Sequence, residues 1–307
     1  MISIGNISMG GRGKTPLAGL VARLLVEAGE RPAILSRGYG RKVADAGVTV
    51  VSDGSPSLAA QASAKQVPLT AARFADIDHS GDEPLMLARM VPAAAVLVCE
   101  QRALAGALAE TSLGCTVHIL DDGFQHHVLR RDVDIVLVAP EDLTTSVMPF
   151  GRLREPIDAL ADADAIVIDG DGDVTLPASA TPTFQGRLRR CLGTPSQPLP
   201  AGARVVAVAG IARPQRFFDA VTGQGWAVAE TLPFKDHHLF SDDDVQRIGA
   251  AATRSGAAAI VATSKDMVKL SGRGPWPVPL IELPLEVSVE PADQFREWLL
   301  ESLARAR

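Results

Sequence analysis

A glycine-rich segment near the start of the chain carries a lysine and a threonine at the spacing of a phosphate-binding loop. The segment reads GGRGKT from residue 10 and lies between an apolar run and a stretch rich in Ala and Leu. Glycines let backbone N–H groups turn towards phosphate oxygens, Lys14 would neutralise the β- and γ-phosphates, and the hydroxyl of Thr15 is a ligand for Mg²⁺. The nucleotide-binding residues that we predict are Ser8, Met9, Gly10, Gly11, Arg12, Gly13, Lys14, Thr15 and Pro16.

Ser8 departs from the common pattern GxxxxGK[ST], which has a glycine at this position. The alternative interpretation is a glycine-rich turn with an incidental lysine, but it explains neither Thr15 nor the helical segment that follows. Pro16 suits the first turn of that helix, where its missing N–H costs nothing. Phosphate binding is therefore the interpretation that we favour.

The apolar run at residues 117–120 ends in two aspartates, Asp121 and Asp122. A carboxylate at the end of a strand lies where it can bind Mg²⁺ beside a phosphate loop. Many strands end in Asp at an ordinary turn, so this motif alone is weak evidence. Because open α/β sheets bind ligands at the carboxyl ends of their strands, the two motifs together predict a Mg²⁺ site formed by Thr15, Asp121 and Asp122.

Side chains suited to binding an acceptor substrate follow several of the apolar runs. Arginines and glycines after the second run suit anion binding, although a solvated turn is the alternative. A glutamine and a histidine follow the paired aspartates, and the segment GRLREP offers further cations. The candidates are Arg37, Tyr39, Arg41, Gln125, His126 and Arg154.

Two further motifs contain groups suited to proton transfer. Asp82 precedes a helical segment in the sequence HSGDEP, and it is either the cap of that helix or a base for the acceptor hydroxyl. Asp236, His237 and His238 group an acid with two imidazoles, which can bind a metal or orient a base. Two histidines and one aspartate do not make a convincing closed zinc site.

Short apolar runs alternate with longer segments rich in Ala, Leu and Arg along the chain. Several runs are continuously apolar, which is the pattern of parallel strands covered on both faces. We therefore predict an α/β fold, a doubly wound parallel sheet with a second, smaller α/β unit. The predicted strands are residues 1–7, 33–36, 95–99, 117–120, 135–139, 165–168, 205–209 and 259–262, and the predicted helices are residues 14–28, 84–90, 101–111, 214–222 and 241–255.

The composition narrows the class of protein. The chain has 307 residues and a formal net charge of -6, which argues against bulk nucleic-acid binding. Its three cysteines are widely spaced without a CxxC motif, which indicates a reduced, cytosolic protein without disulfides. No signal peptide and no apolar run of membrane-spanning length is apparent, so we expect a soluble protein or one that touches a membrane peripherally.

Eight motifs in one order resemble a known family. They are GNISMGGRGKTP, ILSRGYGR, GDEP, DDGFQH, GRLREP, AGIARPQRFF, PFKDHH and TSKDMVKL, from residue 2 to about residue 270. Together they closely resemble the tetraacyldisaccharide 4'-kinases, the lipid A 4'-kinases of Gram-negative bacteria, in which the first loop glycine is typically Ser or Thr. The resemblance implies phosphorylation of the 4'-hydroxyl of a tetraacyl disaccharide 1-phosphate with ATP and Mg²⁺, giving lipid IVA.

The resemblance also implies roles for individual residues. Asp82 becomes the base for the sugar hydroxyl, and His237 assists or orients it. Lys14 and Asp122 complete the predicted catalytic set. The arginines named above are candidates for binding the substrate phosphate or the transferring γ-phosphate. The glycolipid would be met at the cytoplasmic face of the inner membrane, with no nucleic acid and no protein partner.

The implied fold is a P-loop domain at residues 1–183, with residues 290–307 packing back on it, and a smaller α/β domain at residues 184–289. Two linker strands, residues 184–190 and 279–289, would join these domains, and the cleft between them would close over ATP. Family members usually begin with an apolar and basic helix that docks on the membrane. This chain begins almost at the first strand, so we expect a truncated start or membrane contact elsewhere.

Two other departures and two competing hypotheses remain. Residues 144–150 lack the glycine-rich stretch common in the family, and Arg12 stands where a small residue is usual.

A nucleotide-switch ATPase or GTPase acting on a protein partner is the main alternative. Met9 replaces the lysine of the deviant P-loop ATPases, and the adjacent Lys265 and Asp266 do not fit the NKxD spacing of GTPases. An inactive P-loop remnant is disfavoured because the predicted catalytic residues are intact.

Overall fold

The computed structural model describes residues 1–11, 13–43, 47–55, 77–171 and 174–307. These residues divide into two compact units, Met1–Arg189 with Val287–Arg307, and Arg190–Glu286. Arg12 of the phosphate loop lies outside the described residues, so its role in nucleotide binding stays a prediction.

Strands and helices alternate along most of the chain. The strands are β1 (Ile2–Asn6), β2 (Pro32–Ser36), β3 (Thr49–Asp53), β4 (Ala95–Val98), β5 (Val117–Asp121), β6 (Val133–Val138), β7 (Ala165–Ile168), β8 (Phe184–Leu192), β9 (Arg204–Ala209), β10 (Ala227–Pro233), β11 (Ala259–Ala262), β12 (Leu280–Glu282) and β13 (Leu285–Glu290). The helices are α1 (Lys14–Glu27), α2 (Ile77–Ser80), α3 (Asp82–Met90), α4 (Arg102–Thr111), α5 (Pro214–Gly223), α6 (Asp242–Ser255), α7 (Ser264–Leu270) and α8 (Ala292–Arg305). Short 3₁₀ helices cover Pro140–Thr144 and Ile157–Asp162.

The larger unit is built on a sheet with the strand order β13-β8-β7-β6-β1-β5-β2-β4-β3 in its described part. Strand β1 lies at the centre, parallel to β5 on one side and to β6 on the other. Strand β3 pairs antiparallel with β4 at one edge. The carboxyl ends of β1 and β5 are therefore neighbours, which brings the phosphate loop and the paired aspartates to one edge of the sheet.

Helices cover both faces of this sheet. Along β6, Ile135 and Leu137 join the apolar core that contains α1 and α8, whereas Val136 and Val138 join a second core on the other face. Because successive side chains of a strand point to opposite faces, both sets must be apolar, and the run is continuous. The predicted α/β fold with a large parallel sheet is confirmed.

The last helix belongs to the larger unit. The ring of Phe184 lies 5.3 Å from that of Phe295 and 5.5 Å from that of Trp298 on α8. The indole N–H of Trp298 donates a hydrogen bond of 2.8 Å to the Thr183 hydroxyl. Aromatic burial of this kind fixes α8 beside β8.

The smaller unit contains a parallel sheet in the order β10-β9-β11-β12. Val205 and Ala207 of β9 pack in the core that contains Phe217 of α5. Val206 packs on the opposite face, in the core that contains Ile248 of α6. This unit is thus a second α/β layer structure with its own two cores.

Some elements with weak apolar signals were not predicted from the sequence. Strand β10 is mostly exposed or half-buried and forms an edge of the smaller sheet, and Glu230 and Thr231 interrupt its apolar residues. The single strand predicted at residues 279–289 is wrong. It is divided at Leu283 and Pro284 into β12 of the smaller sheet and β13 of the larger one, because proline cannot donate to a strand ladder.

Candidate functional site

The loop between β1 and α1 has the backbone geometry that its glycines allow. Gly10 and Gly13 have φ values of 107° and 87°, a region that side chains other than hydrogen disfavour. The buried side-chain amide of Asn6, at the end of β1, donates a hydrogen bond of 2.7 Å to the carbonyl of Ser8. The loop is therefore held at its entrance by a strand residue and opens directly onto the N-terminus of α1, where backbone N–H groups favour anions.

Lys14 is held between two groups at the mouth of this loop. Its Nζ donates to Asn6 Oδ1 at 3.0 Å and lies 3.3 Å from Asp122 Oδ1. A phosphate at this position would compete with the carboxylate of Asp122 for the same ammonium group.

Thr15 and Asp121 connect the helix to the end of β5. Thr15 Oγ1 donates to Asp121 Oδ2 at 3.4 Å. The Asp121 side chain is 4% exposed, and its Oδ1 has no hydrogen-bond partner among the described residues. Burial, reinforced by Glu83 and by Asp122, raises the pKa of Asp121 to about 7, against the opposing effects of Lys14 and Arg102.

Asp122 has the opposite electrostatic environment. Burial acts to raise its pKa, but Lys14 and Arg154 outweigh that effect and hold the pKa below its usual value. Arg154 Nη1 lies 3.0 Å from each carboxylate oxygen of Asp122. The backbone φ of Asp122 is 53°, a conformation that costs free energy in a non-glycine residue and that clusters at functional sites. Adjacent aspartates thus carry opposite pKa shifts.

The segment after Asp122 packs directly on β1. A Cβ atom on Gly5 would lie 2.4 Å from Phe124 Cβ, so only glycine permits this approach. Gln125 Nε2 donates to the Asn6 carbonyl at 2.9 Å, and Arg154 Nη1 donates to Gln125 Oε1 at 3.2 Å. Gln125 therefore links the phosphate loop to Arg154, and its predicted contact with the substrate stays a prediction.

The segment GRLREP runs beside the phosphate loop. Met9 N donates to the Arg152 carbonyl at 2.8 Å, and Arg154 N donates to the Ile7 carbonyl at 2.7 Å. The Arg152 guanidinium also donates to the Met9 carbonyl at 3.2 Å. These bonds bring two arginines to the loop from a segment more than 140 residues away in the chain.

Arg102, at the start of α4, is a buried cation behind the aspartates. Its Nη2 lies 3.4 Å from the Asp121 carbonyl, and its Nη1 lies 3.4 Å from His126 Nδ1. Burial lowers the pKa of Arg102, and Arg37 lowers it further. Burial and then Arg102 also lower the pKa of His126. Arg37 and His126, both predicted from sequence, therefore belong to one positive cluster beside Asp121.

Asp82 is the first residue of α3 and is buried. Gly81, with φ of 84°, occupies the capping position without a side-chain hydrogen bond, so the interpretation of Asp82 as the helix cap is wrong. Its neighbour Glu83 acts on the pKa of Asp121, which brings the start of α3 to the same end of the sheet. The role of Asp82 as a base stays a prediction.

The loop after β2 packs against the start of α3. A Cβ atom on Gly81 would lie 2.8 Å from the Tyr39 carbonyl, whereas the Tyr39 side chain is mostly exposed. The Arg41 guanidinium is largely buried and lies 3.4 Å from Glu100 Oε1. Its Nη1 has no hydrogen-bond partner among the described residues, which leaves a donor for an anion.

His237 and His238 lie in the smaller unit, after β10. His237 has φ of 58°, and it and Asp122 are the non-glycine residues with positive φ in the described part of the chain. His237 Nε2 lies 3.0 Å from Lys265 Nζ. His238 Nε2 lies 2.9 Å from Asp244 Oδ2. The described residues contain no group of three or more His, Cys, Asp or Glu side chains arranged to hold a metal, so these histidines do not form such a centre.

Three residues of the site were not among the predicted site residues. Asn6 and Arg152 contact the phosphate loop, and Arg102 lies beneath the aspartates. Arg102 follows the end of β4, and the rule that ligands bind at the carboxyl ends of parallel strands could have identified it. The contacts of Asn6 and Arg152 depend on loop geometry that spacing alone does not reveal.

The whole chain is similar to a described family. A model of the tetraacyldisaccharide-1-P 4'-kinase family matches residues 1–304. The chain is 36% identical over 312 residues to the tetraacyldisaccharide 4'-kinase of Koribacter versatilis, with 99% of this chain and 89% of that protein covered. It is 34% identical over 316 residues to the enzyme of that name from Bradyrhizobium diazoefficiens, with 100% and 85% covered.

A solved structure has a similar fold. It is the crystal structure of LpxK from Aquifex aeolicus in complex with ATP, with a TM-score of 0.76 and 29% sequence identity. The similarity covers 98% of this chain and 87% of that one.

Proposed function

The chain belongs to the tetraacyldisaccharide-1-P 4'-kinase family, and from this premise we propose that it transfers the γ-phosphate of ATP to the 4'-hydroxyl of a tetraacyl disaccharide 1-phosphate. It is a phosphotransferase with an alcohol group as acceptor, and its product is lipid IVA, in lipid A biosynthesis. The observation that carries the proposal is the position of Lys14 and Thr15 opposite Asp122 and Asp121 at the mouth of the phosphate loop.

In the transfer, the acceptor oxygen forms a bond to the γ-phosphorus while the bond to the β,γ-bridging oxygen breaks. The proton of the hydroxyl passes to a base, and ADP leaves. Phosphoryl transfer depends mainly on positioning and charge neutralisation. Lys14 and the N–H groups of the loop supply both for the triphosphate.

Mg²⁺ fits the residues present. The buried Asp121 Oδ1 has no hydrogen-bond partner among the described residues, and the other carboxylate oxygen, Oδ2, lies 3.4 Å from the hydroxyl of Thr15. Carboxylate and hydroxyl oxygens are ligands of the type that Mg²⁺ prefers. Mg²⁺ commonly binds through one or two carboxylates together with substrate phosphates, so a larger protein cluster is not needed. We propose that Thr15, Asp121 and Asp122 hold the ion. When bound, it neutralises charge on the phosphate oxygens.

We propose Asp82 as the base and His237 as the residue that assists it, on the resemblance of the GDEP and DHH motifs. Asp82 is buried at the N-terminus of α3, and buried ionisable groups in clefts are common at functional sites, which supports this proposal. We assign Arg37, Tyr39, Arg41, Gln125, His126 and Arg154 to the acceptor and to the transferring phosphate. The unused Nη1 donor of Arg41 supports anion binding there.

The acceptor is a lipid, and we propose that the protein meets it at the cytoplasmic surface of the inner membrane. None of the described helices combines the length and apolarity needed to cross a bilayer. The loop of residues 147–153, which lies beside the phosphate loop, carries Phe150, which is 92% exposed, and Met148, which is 50% exposed. Backbone hydrogen bonds between Met148 and Leu153 and between Phe150 and Val147 hold these apolar side chains outward, a feature that suits contact with acyl chains.

Transfer of ³²P from [γ-³²P]ATP to disaccharide 1-phosphate in detergent micelles tests the proposal. We expect label in the lipid with the unchanged chain and a loss of label with Asp82→Asn. ATP hydrolysis that is independent of the lipid, with no labelled lipid, would favour a nucleotide switch acting on a protein partner.

A further inference from the structure

The ammonium group of one lysine in the smaller unit contacts two other side chains. Lys265, the second residue of α7, lies with its Nζ 3.0 Å from Asp236 Oδ1 and 3.0 Å from His237 Nε2. Asp236 and His237 follow β10, and the Lys265 side chain is largely buried. The ammonium group therefore bridges a carboxylate and an imidazole.

The chemistry of the bridge defines the protonation of the imidazole. An ammonium group has three N–H donors and no acceptor, so His237 Nε2 must accept the hydrogen bond from Lys265. A neutral imidazole has one acceptor nitrogen and one N–H, which leaves the proton on Nδ1. We infer that Lys265 is a positioning residue that holds His237 as the neutral tautomer protonated at Nδ1.

Asp236 fixes the geometry of this bridge. Its Oδ1 accepts one hydrogen bond from Lys265 and another, of 3.0 Å, from the backbone N–H of His237. The second bond holds His237 in its left-handed backbone conformation, at φ of 58°. Strained conformations of this kind persist where the surroundings determine them. One carboxylate thus positions both the ammonium donor and the backbone that carries the acceptor ring.

The neighbouring histidine has the opposite tautomer. His238 Nε2 lies 2.9 Å from Asp244 Oδ2. Although burial acts to raise the pKa of Asp244, its hydrogen bonds with Ser241 and His238 hold that pKa below the usual value. An ionised carboxylate only accepts hydrogen bonds, so His238 carries a proton on Nε2. Its ring packs on Phe234, with centroids 4.8 Å apart. His238 therefore serves the structure of its own unit.

The consequence for catalysis rests on the proposed function. A histidine whose Nε2 accepts from Lys265 presents Nδ1–H as its donor, and an N–H donor can orient the carboxylate of a base. This assignment selects His237 rather than His238 for the role predicted from the DHH motif. Lys265 acts through His237 and is not itself a catalytic residue.

Two-bond ¹H–¹⁵N correlation spectra of the full chain, labelled with ¹⁵N-histidine, test the inference. The chain has six histidines, so single His→Gln variants assign the signals. At neutral pH we expect the pattern of protonated Nδ1 for His237 and that of protonated Nε2 for His238. A His237 signal with protonated Nε2 would overturn the inference.

Matched variants distinguish a positioning role of Lys265 from a role in folding alone. Lys265→Met should shift His237 towards the other tautomer and lower kcat about 10- to 100-fold, by analogy with residues that orient metal-binding histidines, with little change in KM for ATP. Lys265→Arg retains a hydrogen-bond donor, so it should keep much of the original His237 tautomer and much of kcat. Lys235→Met, an exposed lysine of the same loop, should change neither. An unchanged His237 tautomer in Lys265→Met would contradict the inference, whereas the predicted tautomers in a chain without kinase activity would contradict only the proposed function.

Discussion

Thr15 Oγ1 and Asp121 Oδ2 lie 3.4 Å apart, which joins the first turn of α1 to the end of β5 across 106 residues of sequence. The hydroxyl satisfies one oxygen of a carboxylate whose other oxygen has no hydrogen-bond partner among the described residues. A buried carboxylate in this state is costly to ionise. The pair is therefore suited to binding a cation and poorly suited to stabilising the protein without one.

Asp121 should give the metal-free protein a pH-dependent stability. Its folded pKa of about 7 is above the ordinary value of 3.8, so the folded state binds more protons than the unfolded state between these values. Stability must then fall as pH rises towards 7. We expect the stability of Asp121→Asn relative to the unchanged chain to increase by about 2–3 kcal/mol from pH 5 to pH 8. Urea unfolding without nucleotide or Mg²⁺ measures this difference.

Asp122→Asn is the control for that experiment. Lys14 and Arg154 hold the pKa of Asp122 low despite burial, so its ionised form stabilises the fold and that contribution is lost as pH falls. The variant should show no gain in relative stability between pH 5 and pH 8. Equal pH trends in the two variants would contradict the opposite environments described for these aspartates.

Gly5→Ala should disturb the site by pushing Phe124 away from β1. The added Cβ would lie 2.4 Å from Phe124 Cβ and 2.8 Å from its backbone nitrogen. We expect a loss of about 1–3 kcal/mol in the free energy of unfolding, as for other overpacked cores, together with weaker ATP binding. Thermal unfolding and nucleotide titration measure the two effects. Gly223→Ala is the control, since a Cβ there meets no atom within 4 Å among the described residues, and a Tm equally lowered in both variants would contradict this account.

The pair formed by Asp266 and Lys269 should be important for the stability of the smaller unit. Their side chains are buried with charged atoms 3.1 Å apart, and Asp266 also accepts from the Gly210 N–H at 2.8 Å. Asp266→Ala should cost about 3–5 kcal/mol because it breaks a buried ion pair and removes the acceptor of the Gly210 N–H. The double variant Asp266→Asn with Lys269→Met should recover part of that loss in chemical denaturation.

A surface ion pair provides the comparison for this prediction. Asp242 and Arg273 lie 2.7 Å apart, with the Asp242 side chain almost fully exposed. Asp242→Ala should change stability by less than about 1 kcal/mol. A similar loss in the free energy of unfolding for Asp242→Ala and Asp266→Ala would show that burial is not the reason for the importance of the Asp266–Lys269 pair.

Phe150→Ser should weaken binding to lipid vesicles while leaving the fold intact. The side chain is almost fully exposed and therefore contributes little to the core. Removing its apolar surface should lower the vesicle partition constant about tenfold, as measured by sedimentation with vesicles that contain anionic lipid. Leu104→Ser changes another exposed apolar side chain of the larger unit and should have a much smaller effect. Equal losses in the two variants would argue against a specific contact by the loop of residues 147–153.

Much of the fold could be predicted because its strands are buried on both faces. Continuous apolar runs identify β4, β7 and β11 directly. Strand β10 was not predicted because it lies at a sheet edge and because Glu230 and Thr231 interrupt its apolar residues. The break at Pro284 was not predicted because apolar residues continue on both sides of it. Local signals fail where the environment of a strand changes along its length.

The site was predictable where a residue type has one dominant chemistry. The lysine and threonine of the phosphate loop are of this kind, and so are the paired aspartates at a strand end. Arg102 follows the carboxyl end of β4, where ligand-binding residues are expected, but its burial beneath Asp121 is visible only in the structure. The alternative of Asp82 as a helix cap could be removed only by the observed conformation of Gly81.

The position of the transferred phosphate tests the central claim most directly. Tetraacyl disaccharide 1-phosphate, ATP and Mg²⁺ would be incubated with the chain and the product analysed by tandem mass spectrometry. We predict one added phosphate on the distal sugar at the 4'-position, and a loss of at least about 100-fold in rate for Lys14→Met, comparable to removing one charge-stabilising group from an active site. Arg254→Met removes one positive charge from a surface pair in the smaller unit and should be fully active. Phosphate released to water at the same rate with and without the lipid, and no phosphorylated lipid, would contradict the account.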